Sequence, residues 1–269
     1  MTVQEDRVAE FHRLHSSGCF VMPNPWDAGS ARALEQLGFR ALATTSAGFA
    51  WTLGRADNRA ATLDEALAHL CAIAAAVNVP VSADFEGGFA VDPQHVADNV
   101  TRAAATGIAG LSIEDASGDE ADPLYRFDLA VERVRAARRA IDESGTGILL
   151  TGRSEGFVVG RPDLDETIRR LCAYAEAGAD CLYAPRIDTV EQVAAIVDAV
   201  SPKPVNLLIN APFMTVAQAA DLGVRRISVG GTLARTAWAG FLESAREIAA
   251  TGTFARFEQL PNVDALFRT

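Results

Sequence analysis

Glycines at positions 38, 107, 178 and 223 each stand between a run with helical periodicity and a short apolar run, and this recurring punctuation constrains the fold more than any other feature. A helix closes readily on a glycine in the left-handed conformation, and an uninterrupted apolar run of four or five residues suits a strand buried on both faces of a parallel sheet. After a lead-in helix over 5–17, the pattern predicts strands at 19–22, 41–45, 80–84, 110–113, 147–151, 180–183, 205–209 and 226–229. Helices are predicted between them at 28–37, 64–77, 93–106, 128–143, 163–177, 190–200 and 215–222, with a last one at 233–250. About eight strand-helix units in succession specify a (β/α)8 TIM barrel. A doubly wound open sheet would carry a glycine-rich dinucleotide loop after its first strand, where this chain has Pro23-Asn24-Pro25-Trp26.

The chain has 269 residues, 49% of them hydrophobic, with no break in composition, so one barrel domain over 1–269 is expected. The stretch 233–269 would form a C-terminal helical segment. A formal net charge of -11 disfavours nucleic acid and anionic membranes as partners. No apolar run is long enough for a membrane helix, and the charges in residues 1–18 do not suit a signal peptide, so a cytoplasmic protein is expected. Cys19, Cys71, Cys172 and Cys181 lack metal-ligand spacing and read as small buried core residues. His12, His15, His69 and His95 fall in helices away from the strand ends and are not expected to be catalytic.

Barrel enzymes carry their chemistry at the C-terminal ends of the strands, and the unusual polar residues of this chain gather there. The third strand ends in Asp84-Phe85-Glu86-Gly87-Gly88, the fourth in Glu114-Asp115, and the loop after the second holds Asp57. Carboxylates brought together at strand ends repel one another unless a cation sits among them. Mg²⁺ is the simplest such cation, with Asp84, Glu86, Glu114 and Asp57 as the candidate ligand set and Asp84 the expected direct contact. Arg153, ending the fifth strand, could pair with Glu155 or grip an anionic substrate group bidentately, and the strand-end position favours the second. Ser46-Ala47-Gly48 would present backbone N–H groups to an anion, and Gly230-Gly231 would suit either a phosphate or tight packing.

Taken in register, Asn24-Pro25-Trp26-Asp27, Thr44-Thr45-Ser46-Ala47-Gly48, Asp84-Phe85-Glu86-Gly87-Gly88, Ile113-Glu114-Asp115 and Gly152-Arg153-Ser154-Glu155 resemble the isocitrate lyase/phosphoenolpyruvate mutase superfamily across about residues 8–250. The resemblance implies a Mg²⁺-dependent barrel that makes or breaks C–C or P–C bonds beside a 2-oxo or 2-hydroxy carboxylate, through an enolate-like state. It also implies a homo-oligomer, a tetramer or a dimer, with 233–269 a candidate for exchange between subunits. By position, Ser46, Ala47, Gly48, Asp84 and Arg153 match substrate-binding residues. Asp84 matches the principal metal ligand, and Asp57, Glu86 and Glu114 match acids acting largely through metal-bound water. Arg153 and Asp57 are the candidate catalytic residues.

Departures narrow the activity. Isocitrate and methylisocitrate lyases carry a Lys-Lys/Arg-Cys-Gly-His loop after the Glu-Asp pair, whereas residues 116–125 here contain neither Cys nor Lys. No Asn occurs between Asp115 and Arg126, where mutases place an Asn-bearing lid, and Thr44 stands where lyases often have Tyr, so the general base is unassigned. The expected function is therefore Mg²⁺-dependent C–C cleavage or decarboxylation of a small 2-oxo or 2-hydroxy dicarboxylate. The alternatives are phosphonopyruvate-type P–C chemistry and non-catalytic binding of a 2-oxo acid.

Overall fold

Eight parallel strands run in the order β1-β8-β7-β6-β5-β4-β3-β2. In this computed structural model, which describes residues 2–57 and 60–268, the strands are β1 (Phe20–Met22), β2 (Leu42–Ala43), β3 (Val81–Asp84), β4 (Gly110–Glu114), β5 (Leu149–Arg153), β6 (Cys181–Tyr183), β7 (Val205–Leu208) and β8 (Arg226–Ser228). Asn58, part of the loop expected around Asp57, lies outside the described residues. The seam between β1 and β2 is stitched by the Ala43 N–H on Pro23 O at 3.0 Å and by Asn24 Nδ2 on Thr44 O at 2.9 Å. With that seam the sheet forms a nearly closed barrel.

The helices around it are α1 (Val3–Ser16), α2 (Ala28–Gln36), α3 (Ser46–Thr52), α4 (Leu63–Ala76), α5 (Pro93–Ala104), α6 (Phe127–Ser144), α7 (Leu164–Glu176), α8 (Val190–Val200), α9 (Val216–Asp221) and α10 (Thr232–Thr251). Their starts follow from local chemistry: Thr2, Asp27, Thr62 and Thr215 each form a reciprocal cap with the residue three further on. The glycines that punctuate the sequence take positive φ, at 89, 88, 103 and 87° for Gly38, Gly107, Gly178 and Gly223. At Gly178 the space is also closed, since a Cβ there would lie 2.5 Å from Arg138 Cγ.

Two expectations are corrected. The sequence pattern predicts no helix between 37 and 64, but Ser46-Ala47-Gly48 opens α3, because the Thr45 hydroxyl accepts the Gly48 N–H at 3.3 Å and caps it. Only Cys181 is fully buried among the cysteines, Cys19 and Cys172 are half-buried, and Cys71 is exposed. The buried stripe of α4 runs through Leu67, Leu70, Ile73 and Ala74, and Cys71 lies beside it.

The helix after β8 is unlike the others. Of the twenty residues of α10 only Ala234 is buried, while Trp238, Phe241 and Leu242 are exposed. Beyond it the chain returns to the barrel, where the Phe267 ring lies 5.4 Å beneath the Arg32 guanidinium of α2. No helix is long and apolar enough to cross a membrane among the described residues.

Candidate active site

Strand register assembles the centre of the site. Glu114 of β4 pairs with Arg153 of β5, which pairs with Tyr183 of β6, so the three stand side by side at the strand ends. Asp84, the last residue of β3, is in register with Ser112, two residues short of Glu114, and thus faces the same opening. Its Oδ2 accepts the Ser46 N–H at 2.8 Å and its Oδ1 meets Arg153 Nη1 at 3.0 Å. The same Nη1 lies 3.3 Å from Glu114 Oε2, and Arg153 Nε donates to Glu155 Oε1. The Tyr183 ring covers the guanidinium, 5.2 Å from its centroid.

One guanidinium thus serves three carboxylates, and charge in this cluster is governed by burial. Burial drives the Glu114 carboxyl well above the ordinary range; Arg153 opposes that, and Glu155, Asp84 and Glu86 add repulsion. Glu155 is raised in the same way, by burial against the pull of Arg153. Burial alone would lower the Arg153 guanidinium, but Glu155, Glu114 and Asp84 outweigh it and hold it firmly charged. Because the folded Glu114 carboxyl keeps its proton where the unfolded side chain has lost it, its contribution to stability is greatest below the unfolded value and falls as pH rises through the raised folded one. Glu114→Gln is expected to raise the melting temperature by a few degrees in chelator at about pH 8 and to change it little at about pH 5. A lower melting temperature at both values would mean that the Arg153 pairing outweighs the burial.

An excess of buried carboxylate over cation is the donor chemistry that a hard divalent ion fits. Among the described residues no three His, Cys, Asp or Glu side chains are placed to clasp an ion directly. Asp84 has the central position, paired with Arg153, and Glu86 and Glu114 line the neighbouring hollow.

The open space divides around Arg153. A cavity of about 330 Å³ is lined by Ser46, Ala47, Asp57, Asp84 and Arg153. A neighbouring hollow of about 690 Å³ adds Glu86, Glu114 and Glu155, with Ser46, Asp57 and Arg153 shared between the two. Of the expected anion-binding N–H groups, that of Ser46 is taken by Asp84 and that of Gly48 by Thr45. Among the described residues the Ala47 N–H is left, while Gly48 is glycine for packing, since a Cβ there would sit 2.9 Å from Trp26 Cβ.

Gly230-Gly231 follows the packing reading. The Gly230 N–H donates to Asn24 Oδ1 at 2.9 Å, and a Cβ on Gly231 would meet Trp51 Cη2 at 3.0 Å. No histidine lines either cavity among the described residues. His15 is buried against Arg226, and burial and that charge push it down to about 3; His69 stacks on Phe49 and is pushed down by burial to about 4.

Sequence reasoning missed the support behind Glu155. Asp115, adjacent to Glu114, points the opposite way. Its Oδ1 accepts the Glu155 N–H at 2.7 Å, and its Oδ2 accepts from Tyr174 Oη at 2.6 Å and Arg170 Nη1 at 3.1 Å. The acidic pair at the end of β4 thus serves two layers: Glu114 faces the mouth and Asp115 anchors β5 to α7.

Fold and site define a parallel-stranded barrel with an acid-rich mouth at its strand ends. The chain belongs to the phosphoenolpyruvate phosphomutase family, whose family model matches residues 11–249. It is 34% identical to an uncharacterized protein of Mycobacterium tuberculosis over 82% of this chain and 81% of that one. It is 31% identical to the oxaloacetate decarboxylase of Paraburkholderia xenovorans over 84% of this chain and 75% of that one. A solved structure from Burkholderia cenocepacia, whose activity is given no more narrowly than lyase/mutase, superposes with a TM-score of 0.95 at 43% identity, covering 99% of this chain and 97% of the other. The chain is thus an enzyme of the lyase and mutase superfamily, with the barrel those members share.

Proposed function

We propose that this protein is a Mg²⁺-dependent lyase or decarboxylase for a small 2-oxo or 2-hydroxy dicarboxylate, with oxaloacetate the first substrate to test. The observation that carries the reading is the cluster of Asp84, Glu114 and Glu155 around the single guanidinium of Arg153 at the strand ends. Oxaloacetate decarboxylase activity in the Paraburkholderia relative supports it. When bound through Asp84, with Glu86, Glu114 and Asp57 reaching it through water, Mg²⁺ would supply charge stabilisation beside the 2-oxo oxygen.

The chain's own residues hold and orient the substrate. The Ser46 hydroxyl and the Ala47 N–H receive its 1-carboxylate at the start of α3, and Asp57 stands at the open edge of the same cavity. Arg153 keeps a fixed positive charge beside the oxygen on which negative charge develops. In decarboxylation the C3–C4 bond breaks, CO₂ leaves and the electron pair becomes the enolate of pyruvate, which a solvent proton then quenches. No Cys is required in the loop over 116–125 for this chemistry.

The reading extends to assembly. Trp238, Phe241 and Leu242 give α10 an exposed apolar face, and a homo-oligomer in which α10 packs on a neighbouring barrel would cover it. Light scattering on the purified protein is expected to give a tetramer or dimer, and a monomer would remove this part of the reading. The activity is tested by turnover of oxaloacetate, isocitrate, methylisocitrate and phosphonopyruvate with Mg²⁺ or with chelator. Metal-dependent release of pyruvate from oxaloacetate and inertness of the two isocitrates are expected. Efficient isocitrate cleavage, or phosphonopyruvate as the sole substrate, would overturn the reading.

A further inference from the structure

The site cavity is lined by four arginines that differ in what already holds them. Arg153 is committed to Asp84, Glu114 and Glu155. Arg226 lies at the buried floor, donating to Asn206 Oδ1 at 2.8 Å and Thr151 Oγ1 at 3.0 Å and meeting His15. Arg186 and Arg235 line the outer part and are exposed, and among the described residues neither side chain has a hydrogen bond or an acid partner. Arg153 is already engaged by three acids through Nη1 and Nε, so the cations without a partner that could meet a second substrate carboxylate are those at the rim.

Arg186 is the more informative of the two. It follows β6 between buried Pro185 and buried Ile187 and takes φ 66°, a left-handed conformation that non-glycine residues adopt at a cost. A strained backbone held by buried neighbours on both sides, yet bearing an unpartnered cation beside the cavity, is the kind of feature that persists for function. We propose that Arg186 is a specificity-determining residue that receives the distal carboxylate of the substrate, selecting dicarboxylates over monocarboxylates with the same 2-oxo or 2-hydroxy head. This rests on the reading of the cavity as a site for such acids.

The test compares pairs that differ by one carboxylate and are not consumed as oxaloacetate would be, malate with lactate and tartronate with glycolate, by calorimetry on the full-length protein in Mg²⁺. The wild type is expected to prefer the dicarboxylate of each pair at least about tenfold, the size of one charge-assisted contact. Arg186→Gln is expected to shrink that preference about tenfold through weaker dicarboxylate binding, and Arg186→Lys to retain part of it. A wild type without the preference, or an Arg186→Gln protein that keeps it, overturns the proposal. Preference lost in Arg186→Gln without turnover of any dicarboxylate would sink the lyase reading and leave Arg186 standing. Turnover of oxaloacetate with unchanged KM in Arg186→Gln would do the reverse, and absence of binding by all four acids overturns both.

Discussion

Asp84→Asn is expected to lower kcat/KM for the 2-oxo acid substrate by about 10²- to 10³-fold and to abolish dependence on Mg²⁺ over the wild-type range. Asp84 combines three functions: it accepts the Ser46 N–H at 2.8 Å, pairs with Arg153 at 3.0 Å, and stands where the strand ends converge. Asn can still accept the Ser46 N–H, so the start of α3 should keep its position, but it cannot offer anionic charge to a metal ion or to Arg153. Stability should therefore change less than activity. A variant that kept Mg²⁺-dependent turnover within a few-fold of wild type would show that the ion is held elsewhere or not at all.

Arg153→Met is expected to destabilise the protein by about 3–5 kcal/mol in chelator, because it leaves Asp84, Glu114 and Glu155 buried without their shared cation. For a chain of this size that is a drop on the order of 10 °C in melting temperature. Since Mg²⁺ and the guanidinium neutralise the same acids, millimolar Mg²⁺ should restore part of the loss. Arg153→Lys keeps the charge but places it on one nitrogen, where Nη1 meets Asp84 and Glu114 and Nε meets Glu155 in the native side chain, and should cost roughly 1.5–3 kcal/mol in kcat/KM. From sequence alone that conservative change would be expected to leave the melting temperature nearly unaltered. The three ion pairs revise this: Lys should lower it too, by less than Met. An Arg153→Met protein as stable as wild type and indifferent to Mg²⁺ would mean that proton uptake by the whole cluster, and not by Glu114 alone, replaces the cation.

The barrel was legible because both halves of each unit leave a local trace. Continuous apolar runs mark strands buried on two faces, and glycines that must take positive φ mark where helices stop. The strand-end acids were legible for the same reason, since Asp84 and Glu114 interrupt such runs abruptly. What stayed hidden depends on residues distant in sequence. Gly48 read as part of an anion-binding segment and Gly231 as either a phosphate loop or a packing glycine, and only the fold shows Trp26 and Trp51 pressed against them. Asp115 looked like a second mouth acid until Tyr174 and Arg170 appeared behind it. Arg186 carried no local signal, because its interest lies in strain and in the acid partner it lacks.

The central claim is that this acid-lined mouth binds a 2-oxo acid through a divalent cation. Titration of oxalate, a stable mimic of the pyruvate enolate, into wild-type protein with and without Mg²⁺ tests it most directly. Oxalate is expected to bind in the micromolar range with Mg²⁺, to bind at least about 100-fold more weakly in chelator, and to lose that difference in Asp84→Asn. Equal affinity with and without the metal, or an undiminished metal effect in Asp84→Asn, would contradict it.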